Sequence, residues 1–114
     1  MSIKINRIES MLLREISYVL ANEVKDNDIK FVTVTAVNVT NDLSFAKVYV
    51  TVLADDKKES TIKALKDASG FIRSKLYDRV DIRHIPELTF VYDESIEYGK
   101  KIENIIEEIK KQEN

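Results

Sequence analysis

The chain has 114 residues, 44% of them hydrophobic and 33% charged, with a formal net charge of -2 at pH 7 and no cysteine. That length accommodates one domain and not two, and the composition is that of a globular rather than a disordered chain. The missing thiols exclude disulfides, thiolate metal sites and cysteine nucleophiles. No apolar run approaches the roughly 20 residues of a membrane span. Arg7 and Glu9 interrupt any signal-peptide core near the start, so a cytoplasmic protein without a membrane partner is expected. The single histidine, His84, cannot form a metal cluster by itself and is expected at the surface or in a partner contact. No cofactor is called for.

Residues 3–25 read as a long first helix. Ile5, Ile8, Leu12, Ile16 and Val19 recur at three- and four-residue steps, which places them on one face. Met11 and Leu20 widen that stripe. Lys4, Arg7 and Arg14 lie off it, as a solvated face or as an extension of a basic surface. Lys25-Asp26-Asn27-Asp28 ends the helix in turn formers.

Phe31 to Val39 is rich in β-branched residues and reads as a strand. Its phase is open, because both sides carry apolar residues or threonine. Thr40-Asn41-Asp42-Leu43-Ser44 is a polar turn. In the second strand, Ala46, Val48, Val50 and Val52 alternate with Lys47, Tyr49 and Thr51 and are expected in the core. The two strands are close enough in sequence to pair as an antiparallel hairpin. Ala54 to Glu59 reads as a charged loop, with Ser60 as a cap for the helix that follows.

Thr61 to Ile85 reads as two short amphipathic helices meeting at Ala68-Ser69-Gly70. Ile62 and Leu65 form the apolar stripe before the break; Ile72 and Leu76 form it afterwards, followed by Val80. Gly70 is one of two glycines and stands where the chain must bend, as if chosen for its backbone freedom. The start of the second helix would attract an anion, flanked by Lys66 and Arg73. Bases are dense from Lys57 to Arg83, whereas Glu103, Glu107, Glu108 and Glu113 crowd the C-terminal end. One basic face on an acidic protein is the expected result.

Pro86 pushes Ile85 to extended geometry. Leu88, Phe90 and Tyr92 alternate with Thr89 and Val91 in a third strand. Asp93 or Ser95 can cap a last helix whose stripe is Ile96, Ile102, Ile105, Ile106 and Ile109. The expected architecture is a two-layer α+β domain spanning 1–114, with a three-stranded sheet and helices on one face. Catalysis is not expected. The pairs Asp55-Asp56 and Glu107-Glu108 sit on polar surface, and no nucleophile, base and orienting group converge.

Several stretches, in order, are similar to the bacterial ribosome-binding factor A family over nearly the whole length. Arg7-Ile8 opens the first helix. Val32 to Leu53, VTVTAVNVTNDLSFAKVYVTVL, matches the family's hairpin, with Asp42-Leu43 and Ala46-Lys47-Val48. Ala68-Ser69-Gly70 with Ile72-Arg73 matches its Ala-x-Gly bend. Arg83-His84-Ile85-Pro86-Glu87-Leu88-Thr89-Phe90 and Asp93-Glu94-Ser95 match its later signature. The resemblance implies a KH-like domain of the second type, α-β-β-α-(kink)-α-β with a C-terminal helix.

It further implies a non-enzymatic factor, expected as a monomer, that binds the small (30S) ribosomal subunit during late maturation. Its partners would be 16S rRNA and neighbouring ribosomal proteins, with roles in rRNA processing and growth in the cold. Asn27-Asp28-Ile29-Lys30 stands where the family often has Asp-Pro-Arg. The bend has one residue fewer than the Gly-x-x-Gly loop of RNA-clamping KH domains, so their base-clamping mode is not carried over. The RNA-binding residues expected around the bend are Lys63, Lys66, Ser69, Gly70, Arg73, Lys75, Arg79 and Arg83. Of these, Lys66, Arg73, Arg79 and Arg83 are expected to matter for binding and little for folding. The competing reading is a protein-interaction or dimerisation module that uses the C-terminal isoleucine stripe.

Overall fold

The computed structural model describes residues 3–29, 31–53 and 55–95. In chain order they form α1 (Ile3–Asn22), β1 (Val32–Val39), β2 (Phe45–Val52), α2 (Lys58–Asp67), α3 (Ser69–Tyr77) and β3 (Glu87–Tyr92), with short 3-10 turns at Asn27–Ile29 and Asp55–Lys57. The last helix of the sequence reading, with its isoleucine stripe, lies outside the described residues.

The apolar stripe of α1 is its buried face. Leu12, Ile16 and Val19 are wholly enclosed, with Ile8 and Leu20 beside them. Each such side chain contributes about 2 kcal/mol of transfer free energy, an upper figure because the unfolded chain already hides some surface. The helix ends at Asn22, three residues before the sequence pattern suggests. The N–H groups of Glu23 and Val24 both donate to the Val19 carbonyl, and the Asn22 side-chain amide donates to the Tyr18 carbonyl. Leaving the helix there lets the chain bury Ile29 in the core.

The unclear phase of β1 has a physical cause. Val34 pairs with Val50, but Ala36 pairs with Tyr49, so Thr35 is the extra residue of a β-bulge. Val34 faces the core before the bulge, and Val37 and Val39 face it afterwards. A three-residue step between inward side chains is impossible in a regular strand. β2 keeps strict alternation, with Ala46, Val48, Val50 and Val52 buried.

The hairpin between them places Leu43 at φ 63°, a left-handed conformation that β-carbon sterics disfavour. Asp42 holds it, accepting the Thr40 hydroxyl at 2.8 Å and the Ser44 N–H at 3.0 Å. Those bonds, the Ser44 backbone bond foremost, keep the Asp42 carboxyl below its ordinary value. Leu43 itself packs against the core cluster.

β3 lies parallel to β2, with Phe45 opposite Glu87 and Val50 opposite Tyr92, and the sheet order is β1-β2-β3. A parallel neighbour needs a crossover, and α2–α3 is that crossover. Three expectations change here. Helix α2 starts at Lys58, so Ser60 lies inside its first turn and donates back to the Lys57 carbonyl instead of capping. Most of the charged loop is therefore the 3-10 turn Asp55–Lys57 and the head of α2.

The third change concerns the bend. It sits on Ala68 (φ -90°, ψ 0°), whose N–H still reaches the Ala64 carbonyl and whose carbonyl still accepts from Ile72. Gly70 has no positive φ, and a β-carbon there would meet nothing within 4 Å. The fold does not use its conformational freedom. The kink's effect is to aim Leu65 on one side and Ile72 and Leu76 on the other into the same core.

α1 packs on β1 and α3, while α2 and α3 pack on β3. The helices thus cover one face of the sheet. Phe45 and Lys47 of β2 are exposed on the other.

Candidate nucleic-acid interface

Lys63 and Lys66 stand one turn apart on the exposed side of α2 and form no ion pair with another described residue. They rim a groove of about 400 Å³ between α2 and the edge strand β3, bounded also by Glu59, Ile62, Phe90, Val91 and Tyr92. Lys58, which sequence reasoning did not select, closes the end of the groove. Its ammonium lies 4.0 Å from the Tyr92 ring centroid and 3.3 Å from Glu94 Oε1. Sequence spacing gives no sign of that contact, because it joins α2 to residues more than 30 positions away.

Ser69 and Gly70 lie at the kink, where the Ser69 hydroxyl donates to the Lys66 carbonyl at 2.8 Å. Arg73 does not complete an anion site with Lys66. Its Nε and Nη2 donate to the Ile85 carbonyl at 3.0 and 2.6 Å, and the Tyr77 hydroxyl accepts the Ile85 N–H at 3.4 Å. Ile85 and Pro86 are enclosed. Side chains of α3 therefore satisfy both backbone groups of a buried loop residue, which would otherwise cost about 1–3 kcal/mol apiece.

Arg79 is likewise committed. Its Nε donates to Glu15 Oε2 at 2.7 Å, and its guanidinium stacks 3.7 Å from the Tyr18 ring centroid, tying the end of α3 to α1. The bond to Glu15 raises its pKa. Against the expectation that Arg73 and Arg79 matter little for folding, both have partners within the fold, Arg73 on a buried carbonyl and Arg79 on an exposed seam. Lys75 lies 5.5 Å from the Phe71 ring centroid. Arg83 and His84 are exposed in the loop after α3. The eight residues named from the sequence do not form one cluster. Lys63, Lys66 and the kink belong to the groove side, while Arg79 sits on the seam with α1.

Asp93 gains a role that the sequence only half suggested. Its N–H donates to the Val50 carbonyl at 2.7 Å. One carboxylate oxygen accepts the Thr35 hydroxyl at 2.6 Å, and the other accepts the Ser95 N–H and hydroxyl. The Asp-x-Ser signal is therefore a local turn closed by the Asp93 carboxylate and cross-linked to the bulge of β1. The Ser95 hydroxyl first, then Thr35, holds this carboxyl below its ordinary range. Among the described residues, no group of three or more His, Asp or Glu could hold a metal, and no helix is long and apolar enough to cross a membrane.

Comparison with known proteins gives these features a family. A family model described as ribosome-binding factor A matches residues 4–106. The ribosome-binding factor A of Staphylococcus epidermidis is 52% identical over 111 residues, covering 96% of each chain. The crystal structure of ribosome-binding factor A from Thermus thermophilus superposes with a TM-score of 0.72 at 27% identity, over 77% of this chain and 93% of that one. A homology model of the Thermus thermophilus factor, fitted into the cryo-EM map of a 30S complex with that factor, superposes at a TM-score of 0.67 with the same identity and coverage. The kinked helix pair crossing between two parallel strands fits the KH-like fold of these neighbours. The chain belongs to the ribosome-binding factor A family.

Proposed function

We propose that this protein is a cytoplasmic, non-enzymatic assembly factor, a monomer formed by one domain over residues 1–114. It binds the small ribosomal subunit and promotes its late maturation and 16S rRNA processing. The observation that carries the reading is the likeness to the Thermus thermophilus factor fitted into a 30S complex, joined to 52% identity with a curated family member. The α2–β3 groove supplies the chemistry. Lys63 and Lys66 meet phosphates, which position an RNA without reading its sequence. The kink at Ser69 and Gly70 lets the backbone approach. Lys75 and Arg83 extend the basic surface, and Arg73 and Arg79 add charge while bracing the elements that carry it.

Ordered RNA is recognised largely by shape and backbone, which suits an acidic protein with local basic faces. The factor acts by binding one arrangement of the immature subunit better than another, the only way a ligand shifts such an equilibrium. No turnover is needed.

Co-sedimentation with isolated small subunits, large subunits and whole ribosomes at low and high salt tests this. Pelleting with small subunits, weakened by salt, is expected. Lys63→Ala with Lys66→Ala should weaken it about tenfold and reduce the log–log salt slope by roughly 1.5 to 2. A folded protein that pellets with no particle, or that forms a stable dimer and ignores ribosomes, would overturn the reading in favour of an interaction module.

A further inference from the structure

We propose that the outward face of α1, built on Arg7, Met11, Arg14 and Tyr18, is a second RNA-backbone contact, so that the factor bridges two RNA segments of the small subunit. This rests on the ribosomal reading above.

These four residues follow steps of four, three and four, which sets them in one line along the helix. Arg7, Arg14 and Tyr18 are exposed, off the buried stripe of Leu12, Ile16 and Val19, and Met11 lies on the border between them, partly buried against the core. Arg7 is exposed, and the Arg14 side chain is 72% exposed. Their α-carbons are about 10 Å apart along the axis. Asn6, Arg7, Ser10, Met11 and Arg14 border a shallow hollow of about 530 Å³, which puts an amide and a hydroxyl beside the two guanidinium groups.

The fate of the acids decides the sign of this face. α1 contains two carboxylates, Glu9 and Glu15, and both are used elsewhere. Glu9 Oε2 accepts the Val39 N–H of β1 at 2.8 Å. Glu15 is bonded to Arg79 at 2.7 Å and touches Arg14 only at 3.9 Å. The outward face is left cationic on a chain whose formal net charge is -2. At its C-terminal end Tyr18 stays 43% exposed with Arg79 stacked on its ring, an arrangement suited to stacking and cation–π contact with nucleic acid. A polyanion is the partner that complements such a face, and the flat stack suits a nucleic-acid base.

The face is distinct from the α2–β3 groove. α1 lies against β1, whereas the groove follows β3. These strands are the two edges of the sheet, about 10 Å apart. Two separated contacts give the factor a reason to prefer one RNA arrangement: the second contact becomes intramolecular only when both segments are placed to receive it.

The test uses the full chain and isolated small subunits. Arg7→Gln with Arg14→Gln should leave the melting curve near wild type, weaken co-sedimentation about tenfold and lower the salt slope by roughly 1.5 to 2. Combined with the Lys63 and Lys66 changes, the losses should multiply, as for independent sites. A photoreactive residue in place of Met11, in an otherwise wild-type chain, should crosslink to a segment of 16S rRNA different from that reached from position 63. Undiminished binding by the arginine variant, or crosslinking from position 11 only to protein, would overturn the second contact while leaving the assembly-factor reading intact. Failure of the wild-type chain to bind small subunits would remove that reading instead.

Discussion

Lys63 and Lys66 on α2 contrast with Arg73 and Arg79 on and just beyond α3. All four are basic residues within 17 positions, and by sequence they form one cationic run. In the fold they divide. The lysines extend over the groove, and the arginines turn back, one onto the Ile85 carbonyl and one onto Glu15 and Tyr18. The difference follows from side-chain chemistry. A guanidinium offers several donors in a rigid plane, so it can bind one carbonyl through two nitrogens or lie flat on a ring. An ammonium on a flexible stem is better left hydrated, where it meets phosphates as a point charge. Charge density along a sequence therefore overstates the area available to a partner.

That contrast breaks most sharply at Arg73. Arg73→Ala should destabilise the domain by about 2–3 kcal/mol, because it leaves the buried Ile85 carbonyl unpaired after losing two charge-assisted bonds. Thermal or urea denaturation measures it. Arg73→Lys should recover only part of the loss. Full stability in the alanine variant would mean that the loop finds another donor. The Lys63 and Lys66 double change should show the reverse pattern, with stability within about 0.5 kcal/mol of wild type and the binding loss stated above.

Asp93 sharpens the comparison as a carboxylate committed to the fold. Asp93→Ala should cost roughly 1 kcal/mol through the lost hydrogen bonds to Thr35 and Ser95. Because its folded pKa is lowered, its contribution is fully present above the unfolded value of about 3.9 and fades as the pH falls through the folded one. Asp93→Asn keeps an acceptor for the Ser95 N–H and loses the charge. Urea melts from pH 5 to 3 should show a shallower acid decline for that variant than for wild type; parallel curves would refute the assignment.

The smallest effect is at Gly70. With an ordinary φ and open space around it, Gly70→Ala should be neutral or stabilising by up to about 1 kcal/mol. Small-subunit binding that nevertheless falls in this variant would show that the residue serves the close approach of RNA backbone. Unchanged binding would limit the kink to shaping the helix pair.

Much of the fold was legible in the sequence because it depends on periodicity. The α1 stripe, the alternation of β2, the paired stripes around Ala68 and the third strand all landed where burial requires. The phase of β1 was not legible, since an inserted residue at Thr35 changes the strand's facing without changing its composition. Ser60 misled because a hydroxyl inside a first turn and one at a cap look alike until the helix start is known. The candidate site was legible only in part: Lys63 and Lys66 keep the exposure expected of them, whereas the acceptor of Arg73 is a backbone carbonyl, invisible to any reading of side-chain types.

By itself, the sequence determined the family, the order of the described elements and the inward faces of α1, β2, the kinked helix pair and β3, because these follow from local spacing and from motifs that persist along the chain. Only the tertiary structure decided which charges remain available. Pairing Glu15 with Arg79, Glu9 with the edge of β1, and Arg73 with the loop at Ile85 depends on elements 12 to 64 residues apart meeting in space. A charge is silenced or left free by its neighbour across that distance, and no local pattern encodes the neighbour.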